Sequence, residues 1–195
     1  KDGPRDEILL WDVYGRRLRK TLHLPRLELL ESLAFAPDGR RLALVGTGFG
    51  QSDIYVLDTE SGAVQQITGT PQRDDFPAWS PDGRQLAFSS KRGGQFDIRV
   101  CELATGETRT VIASPTDDMW PKWLPEGNKI LFVSTRDRIN DLFVYHLDRH
   151  EEYRLTRTLD GVMDPSLSPD GRQVVVSTYR SGRPELYILD VPDWN

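Results

Sequence analysis

The apolar residues of this chain fall in short runs of five or six, each cut off by turn chemistry. Between Phe76 and Ala113 the order is FPAWS, a PDG turn, QLAFSS, a polar KRGGQ loop, DIRVCE, an ATGE turn and TRTVIA. Such runs, rich in Val, Ile, Phe, Tyr and Leu, have strand length and lack the 3.6-residue stripe of an amphipathic helix. Proline presets φ at the second position of a tight turn, and Asp and Gly suit the positions after it, so each P-D-G predicts a reversal. The stretch predicts four antiparallel strands.

The same pattern recurs. AFAPDGRRLALVG (34–46), AWSPDGRQLAFSS (78–90), KWLPEGNKILFVS (122–134) and SLSPDGRQVVVST (166–178) carry their turn prolines at Pro37, Pro81, Pro125 and Pro169, spaced 44 residues apart throughout. An acidic residue sixteen positions later, Asp53, Asp97, Asp141 or Glu185, opens DIYVLD, DIRVCE, DLFVYH and ELYILD, and EILLWD (7–12) is a further copy 46 residues before the first of these. Four-stranded units at this period predict an all-β protein, a β-propeller of antiparallel blades. Strands such as ILFVS and VVVST are apolar on both faces, as expected where neighbouring blades cover them.

These phrases, FPAWSPDGRQLAFSSKRGGQFDI and DPSLSPDGRQVVVSTYRSGRPELYILD above all, resemble the TolB-type propeller repeat (PD40) over about residues 31–195. The Gly-His and Trp-Asp pair of WD-repeat propellers is absent, and Trp11-Asp12 lacks that context. The resemblance implies a non-enzymatic scaffold that binds a protein or peptide through its loop face or central tunnel, in a bacterial envelope or periplasmic setting. Such repeats also gate prolyl-oligopeptidase-like and tricorn-like serine peptidases, whose catalytic domain would lie outside this chain, and occur as sensors of larger regulators.

Strand counting gives a single propeller region of about four to four and a half blades: the end of one blade (7–22), full blades at 31–70, 75–113 and 119–157, and an incomplete one at 163–191. The expectation is a partial propeller, or part of a ring that the resemblance puts at six to eight blades. Uncovered end blades are association hazards.

The 25 basic and 30 acidic residues give net charge −5, and the longest basic stretch is the short GRRLRK (15–20), so nucleic acid is not an expected partner. No apolar run reaches the roughly 18 residues of a membrane span. Cys101 is a single cysteine, leaving no intrachain disulfide and no CxxC pair.

No G-x-S-x-G elbow, H-E-x-x-H, P-loop or strand-borne G-x-G-x-x-G occurs, so no catalytic residue, metal site or cofactor is expected. His146 and His150 flank a turn instead of sharing a helical face. Asp38, Asp82, Glu126 and Asp170 belong to the tight turns, and Trp79 and Trp123, which alternate with Phe35 and Leu167, to interblade packing.

The loops between second and third strands and the links between blades are expected on one face, where function concentrates. Arg73, Asp74, Asp75, Asp117, Asp118, Trp120 and Asp164 are assigned to the links, and Arg92, Arg136 and Arg180 recur eleven positions after the turn prolines Pro81, Pro125 and Pro169. The expected partner-binding set is Asp74, Asp75, Arg92, Asp117, Asp118, Trp120, Arg136, Asp164 and Arg180. The competing assignment is that each Arg pairs with an Asp of its own or a neighbouring blade and ties the loops together. Asp74, Asp117 and Trp120, which vary between units, are the sharper candidates.

Overall fold

A computed structural model describes residues 7–12, 14–23, 29–48, 51–180 and 182–193. A hairpin of β1 (Glu7–Asp12) and β2 (Arg17–His23) precedes three four-stranded antiparallel sheets. Blade 1 is β3 (Leu29–Phe35), β4 (Arg41–Gly48), β5 (Gln51–Asp58) and β6 (Val64–Gln66). Blade 2 is β7 (Asp74–Trp79), β8 (Gln85–Arg92), β9 (Gln95–Glu102) and β10 (Thr108–Ile112). Blade 3 is β11 (Asp118–Trp123), β12 (Lys129–Ser134), β13 (Asp141–His146) and β14 (Glu151–Arg154). Blade 4 has three strands, β15 (Met163–Leu167), β16 (Gln173–Arg180) and β17 (Arg183–Asp190). Consecutive strands pair throughout, the arrangement of a propeller blade.

Each turn is built from its own residues. Asp38 Oδ1 accepts from the backbone N–H of Arg40 (2.8 Å) and Arg41 (3.0 Å), and these bonds hold its carboxyl down at about 2. Asp82 and Asp170 repeat the motif with the hydroxyls of Ser80 and Ser168 added. The turns also stack across blades: Gly171, at φ +70, lies so close to Pro125 that an added methyl group would overlap the proline ring. Glycine is required there by backbone conformation and by space.

The blades are joined by apolar seams. Between blades 1 and 2, Ala36, Val45, Ile54 and Val56 meet Trp79, Leu86, Phe88 and Cys101. Between blades 2 and 3, Ala87, Ile98, Val100 and Ile112 meet Trp123, Ile130 and Phe132. Between blades 3 and 4, Leu131, Val133, Leu142 and Val144 meet Leu167, Val174, Val176 and Leu189. Trp79 also donates its indole N–H to the Ala34 carbonyl at 2.9 Å, and Trp79 and Trp123 are both buried at the seams, as their repeat position implies.

Blades 1 and 4 each have a less covered face. Phe35 is 66% exposed where its counterparts Trp79 and Trp123 are each 8% exposed. Leu186 is 76% exposed, whereas Ile54, Ile98 and Leu142, at the same repeat position, are each 0% exposed. The residue types are equivalent, so the difference lies in how far the described residues cover each face.

One expectation is corrected by the strands themselves. Asp74, Asp75, Asp118, Trp120 and Asp164 are not in the interblade links; they belong to the innermost strands β7, β11 and β15. Pairing resumes beyond a β-bulge, with Asp74 opposite Ser90 and Asp118 opposite Ser134, after the register skips in front of Ala78 and Lys122. Pro77 and Pro121 sit in that skip and have no N–H to give the ladder, so the strand bulges there and continues. Arg73 and Asp117 remain just outside the strands.

Candidate functional site: the bulged inner rim

The bulges create a repeated feature on the innermost strand of three blades. Phe76, Trp120 and Asp164, 44 residues apart, each precede a proline and take φ of 55°, 54° and 52°. Such backbone is disfavoured for residues with a Cβ, and its recurrence at one register position marks a conformation that the surrounding sheet imposes. The consequence is aromatic contact across a seam: the Phe76 and Trp120 rings lie 5.3 Å apart between centroids at 51°. Ser89 of blade 2 faces the Trp120 backbone, whose N–H donates to its Oγ at 3.2 Å.

Asp164, at the third such position, is exposed. It influences Lys122 of β11, whose ammonium is held below the usual lysine range by burial while the Asp164 carboxylate acts in the opposite direction. The rim thus offers two half-buried aromatic rings, an exposed carboxylate and a half-buried cation. That is a set of recognition groups, not of reacting ones.

The remaining candidates lie in the seams behind the rim. Asp74 is buried, its carboxyl pushed up by burial against the opposing pull of the Ser90 and Thr68 hydroxyls and the positive charges of Arg92 and Arg99. Its counterpart Asp118 is likewise buried and pushed up by burial, with Ser134, Ser114 and Arg136 acting the other way; Arg136 Nη2 lies 3.5 Å from Oδ1. Asp74 Oδ1 and Asp118 Oδ2 have no hydrogen-bond partner.

Asp75 is buried and joins two blades, accepting from Ser52 Oγ of β5 at 3.0 Å and from Arg73 Nε. Asp117 accepts from the Phe96 backbone N–H at 2.8 Å, and its own N–H donates to Thr135 Oγ1 at 3.0 Å.

The arginines are equally engaged. Arg136 pairs with Asp118 and Glu152 and lies 4.9 Å from the centre of the Phe143 ring. Arg92 Nε donates to Ser90 Oγ at 3.3 Å. The side chain of Arg180 lies outside the described residues. Of the nine expected contact residues, the structure brings Trp120 and Asp164 to the bulged rim, while Asp74, Asp75, Asp117, Asp118, Arg92 and Arg136 serve the blade seams and loop bases.

Phe76 and Lys122 were missed by the sequence reading. The signal was present: a residue followed by proline, five positions before the turn proline, in Phe76-Pro77, Trp120-Pro121 and Asp164-Pro165.

His150 Nδ1 is 3.0 Å from the Tyr145 hydroxyl, and His146 Nδ1 accepts from the Arg149 N–H at 3.3 Å, so both histidines serve the β13–β14 turn. Cys101 is buried in a seam. Among the described residues, no group of three or more His, Cys, Asp or Glu is arranged to hold a metal ion, and no helix is long and apolar enough to cross a membrane.

Radially seamed, four-stranded antiparallel sheets with a turn proline every 44 residues define a β-propeller protein. The sequence pattern of the TolB beta propeller domain, PD40, matches residues 7–111 and 95–194. The chain belongs to this family.

Among solved structures, TolB from Acinetobacter baumannii superposes with a TM-score of 0.80 at 24% identity, over 96% of this chain and 47% of its own. A TolB-like protein from Agrobacterium tumefaciens gives 0.78 at 22%, over 90% of this chain and 66% of its own. A puromycin hydrolase gives 0.71 at 17%, over 91% of this chain and 29% of its own. The chain therefore spans about half to two thirds of the TolB structures it resembles. Curated protein sequences give no match.

Proposed function

We propose that this chain is a non-enzymatic binding scaffold that takes a protein or peptide segment on the loop-face rim of its blades. The observation that carries this reading is the Phe76–Trp120 pair, held at positive φ on two neighbouring innermost strands with Asp164 at the same position of the next blade. Strained, repeated backbone that presents aromatic rings is spent on recognition more readily than on packing. Tyrosine, tryptophan and arginine dominate binding hot spots, and a rigid sheet lowers the ordering cost of presenting them. Trp120 would anchor the partner, Phe76 would widen the apolar platform and Asp164 would select a positive group. The buried carboxylates Asp74 and Asp118 would support the rim from behind.

The test is to pan a displayed random-peptide library against the full chain and titrate the selected peptides calorimetrically against Phe76→Ala, Trp120→Ala and Asp164→Ala. A loss of about tenfold or more in affinity at Trp120 is expected. Selected peptides that bind all three variants as tightly as the parent would overturn the assignment.

A second reading is favoured by one observation, the superposition on 29% of a puromycin hydrolase. In that reading the blades gate a hydrolase domain outside this chain. Hydrolysis by the longer protein, abolished by a serine-directed phosphonate, would support it.

A further inference from the structure

The seam between blades 3 and 4 is cut back at one repeat position. Phe88 and Phe132, fully buried, fill the first two seams at a repeat position where blade 4 carries Val176. The facing blade carries Thr68, Ile112 and Thr156 at one repeat position in the three seams, so the change peculiar to the third is the valine. With Val in place of Phe, this seam holds a cleft of about 230 Å³, lined among others by Thr156, Asp160, Val162, Val176, Thr178 and Tyr187, with the 90% exposed Leu159 at its lip. Protein interiors seldom tolerate voids larger than a water molecule.

The lining is mainly apolar, although Asp160 and the Thr178 hydroxyl border it and two more threonines belong to it. Thr156 Oγ1 donates to Asp141 Oδ1 at 2.6 Å and accepts from the Leu142 N–H at 2.9 Å, and Thr158 gives its N–H and hydroxyl to the same carboxylate oxygen at 3.0 and 3.3 Å. These hydroxyls are committed away from solvent in the cleft. A site with few free polar partners holds water poorly; an apolar cavity of about 150 Å³ made by truncating a core side chain binds benzene.

We propose that this cleft is a receptor for one aromatic side chain, a phenylalanine-like ring carried by a peptide. The occupant is identified by the protein itself, which fills the equivalent space in two other seams with phenylalanine. The segment from Thr156 to Val162 leads straight into β15, the strand that carries Asp164, so cleft and rim share one stretch of chain. The peptide form of the proposal rests on the peptide-binding reading above; the ring-binding property of the cleft does not.

The experiment follows methyl and amide NMR signals of Thr156, Val176 and Thr178 in the full chain during titration with toluene, N-acetyl-phenylalanine amide and N-acetyl-alanine amide. The two ring compounds are expected to give saturable shifts at these residues and the alanine compound none. Val176→Phe, which restores the residue of the other seams, is expected to weaken both ring compounds by about tenfold or more and to raise the melting temperature. Val176→Leu, a smaller filling that serves if the phenylalanine does not fit, is expected to weaken them to a lesser degree.

Absence of saturable shifts with toluene, or equal affinity in the filled variants, overturns the cleft as a ring receptor. Binding of toluene without N-acetyl-phenylalanine amide overturns the side-chain form. Library peptides that depend on Trp120 while ring compounds leave the cleft untouched would sink this inference alone, and ring binding with no rim-dependent peptide would sink only the rim.

Discussion

Phe76 and Trp120 touch across a blade seam, 5.3 Å between ring centroids, from backbone that both hold at positive φ. Two residues at one repeat position thus act as a pair because the repeat brings the same bulge to neighbouring blades. The energetic signature is coupling. A double-mutant cycle with Phe76→Ala and Trp120→Ala, read by urea denaturation, is expected to give about 0.5–1.5 kcal/mol of interaction energy.

The strained backbone makes a separate prediction. Glycine reaches positive φ without the Cβ cost of roughly 1 kcal/mol, so Phe76→Gly should be less destabilising than Phe76→Ala. In ordinary strand backbone the order is reversed. Denaturation midpoints of the two variants decide it.

Gly39 and Gly171 occupy equivalent turns at φ +67 and +70, but only Gly171 lies against a neighbouring proline, and nothing stands near Gly39. Gly39→Ala should cost about 1 kcal/mol, the conformational penalty alone. Gly171→Ala adds steric overlap and should cost about 2–4 kcal/mol. Equal midpoint shifts for the two would refute the stacking of turns.

Two buried aspartates should bend the pH dependence of stability in opposite directions. Burial alone raises Asp141, but the bonds from Thr156, Thr158 and Arg154 outweigh it and leave the carboxyl below its ordinary value. Its contribution is therefore present above the unfolded value of about 3.9 and lost as pH falls below it. Asp74 is raised by burial, so its ionisation weakens the fold at neutral pH and that weakening fades as pH falls toward about 4. Asp141→Asn should lose about 1–3 kcal/mol at pH 7 and flatten the acid limb, whereas Asp74→Asn should be neutral or stabilising there. Denaturant titrations from pH 3 to 8 measure both.

The repeat was legible because turn chemistry is local: Pro, Asp and Gly act within four residues, and the 44-residue spacing follows from their positions. Trp79 and Trp123 were likewise readable, since interchange with Phe and Leu at one position means packing. The rim was only half legible. Trp120 and Asp164 stood out by type, but the bulge that presents them arises from a proline interrupting a paired strand, which local runs of hydrophobicity do not reveal.

Asp74, Asp75 and Asp118 illustrate the reverse error. Charge suggested solvent, but each sits where a strand end meets the neighbouring blade, and all three are buried. Asp117, by contrast, spends its carboxylate on the Phe96 N–H, a long-range partner that no spacing announces. Arginines at a constant offset were correctly open to the reading that they tie their own loops, as Arg136 does with Asp118 and Glu152.

The seams also set an order of opening. Each blade touches only its neighbours, so blade 3 is clamped on two sides, while blade 4 leaves Leu186 and Ile188 of β17 facing solvent. A blade held by one seam opens before a blade held by two, as in stacked repeats. Amide protons of β16 and β17 should exchange well before those of β12 and β13. The cleft beside Val176 lies in the seam that holds blade 4, so a ring seated there would act as a rivet between blades 3 and 4.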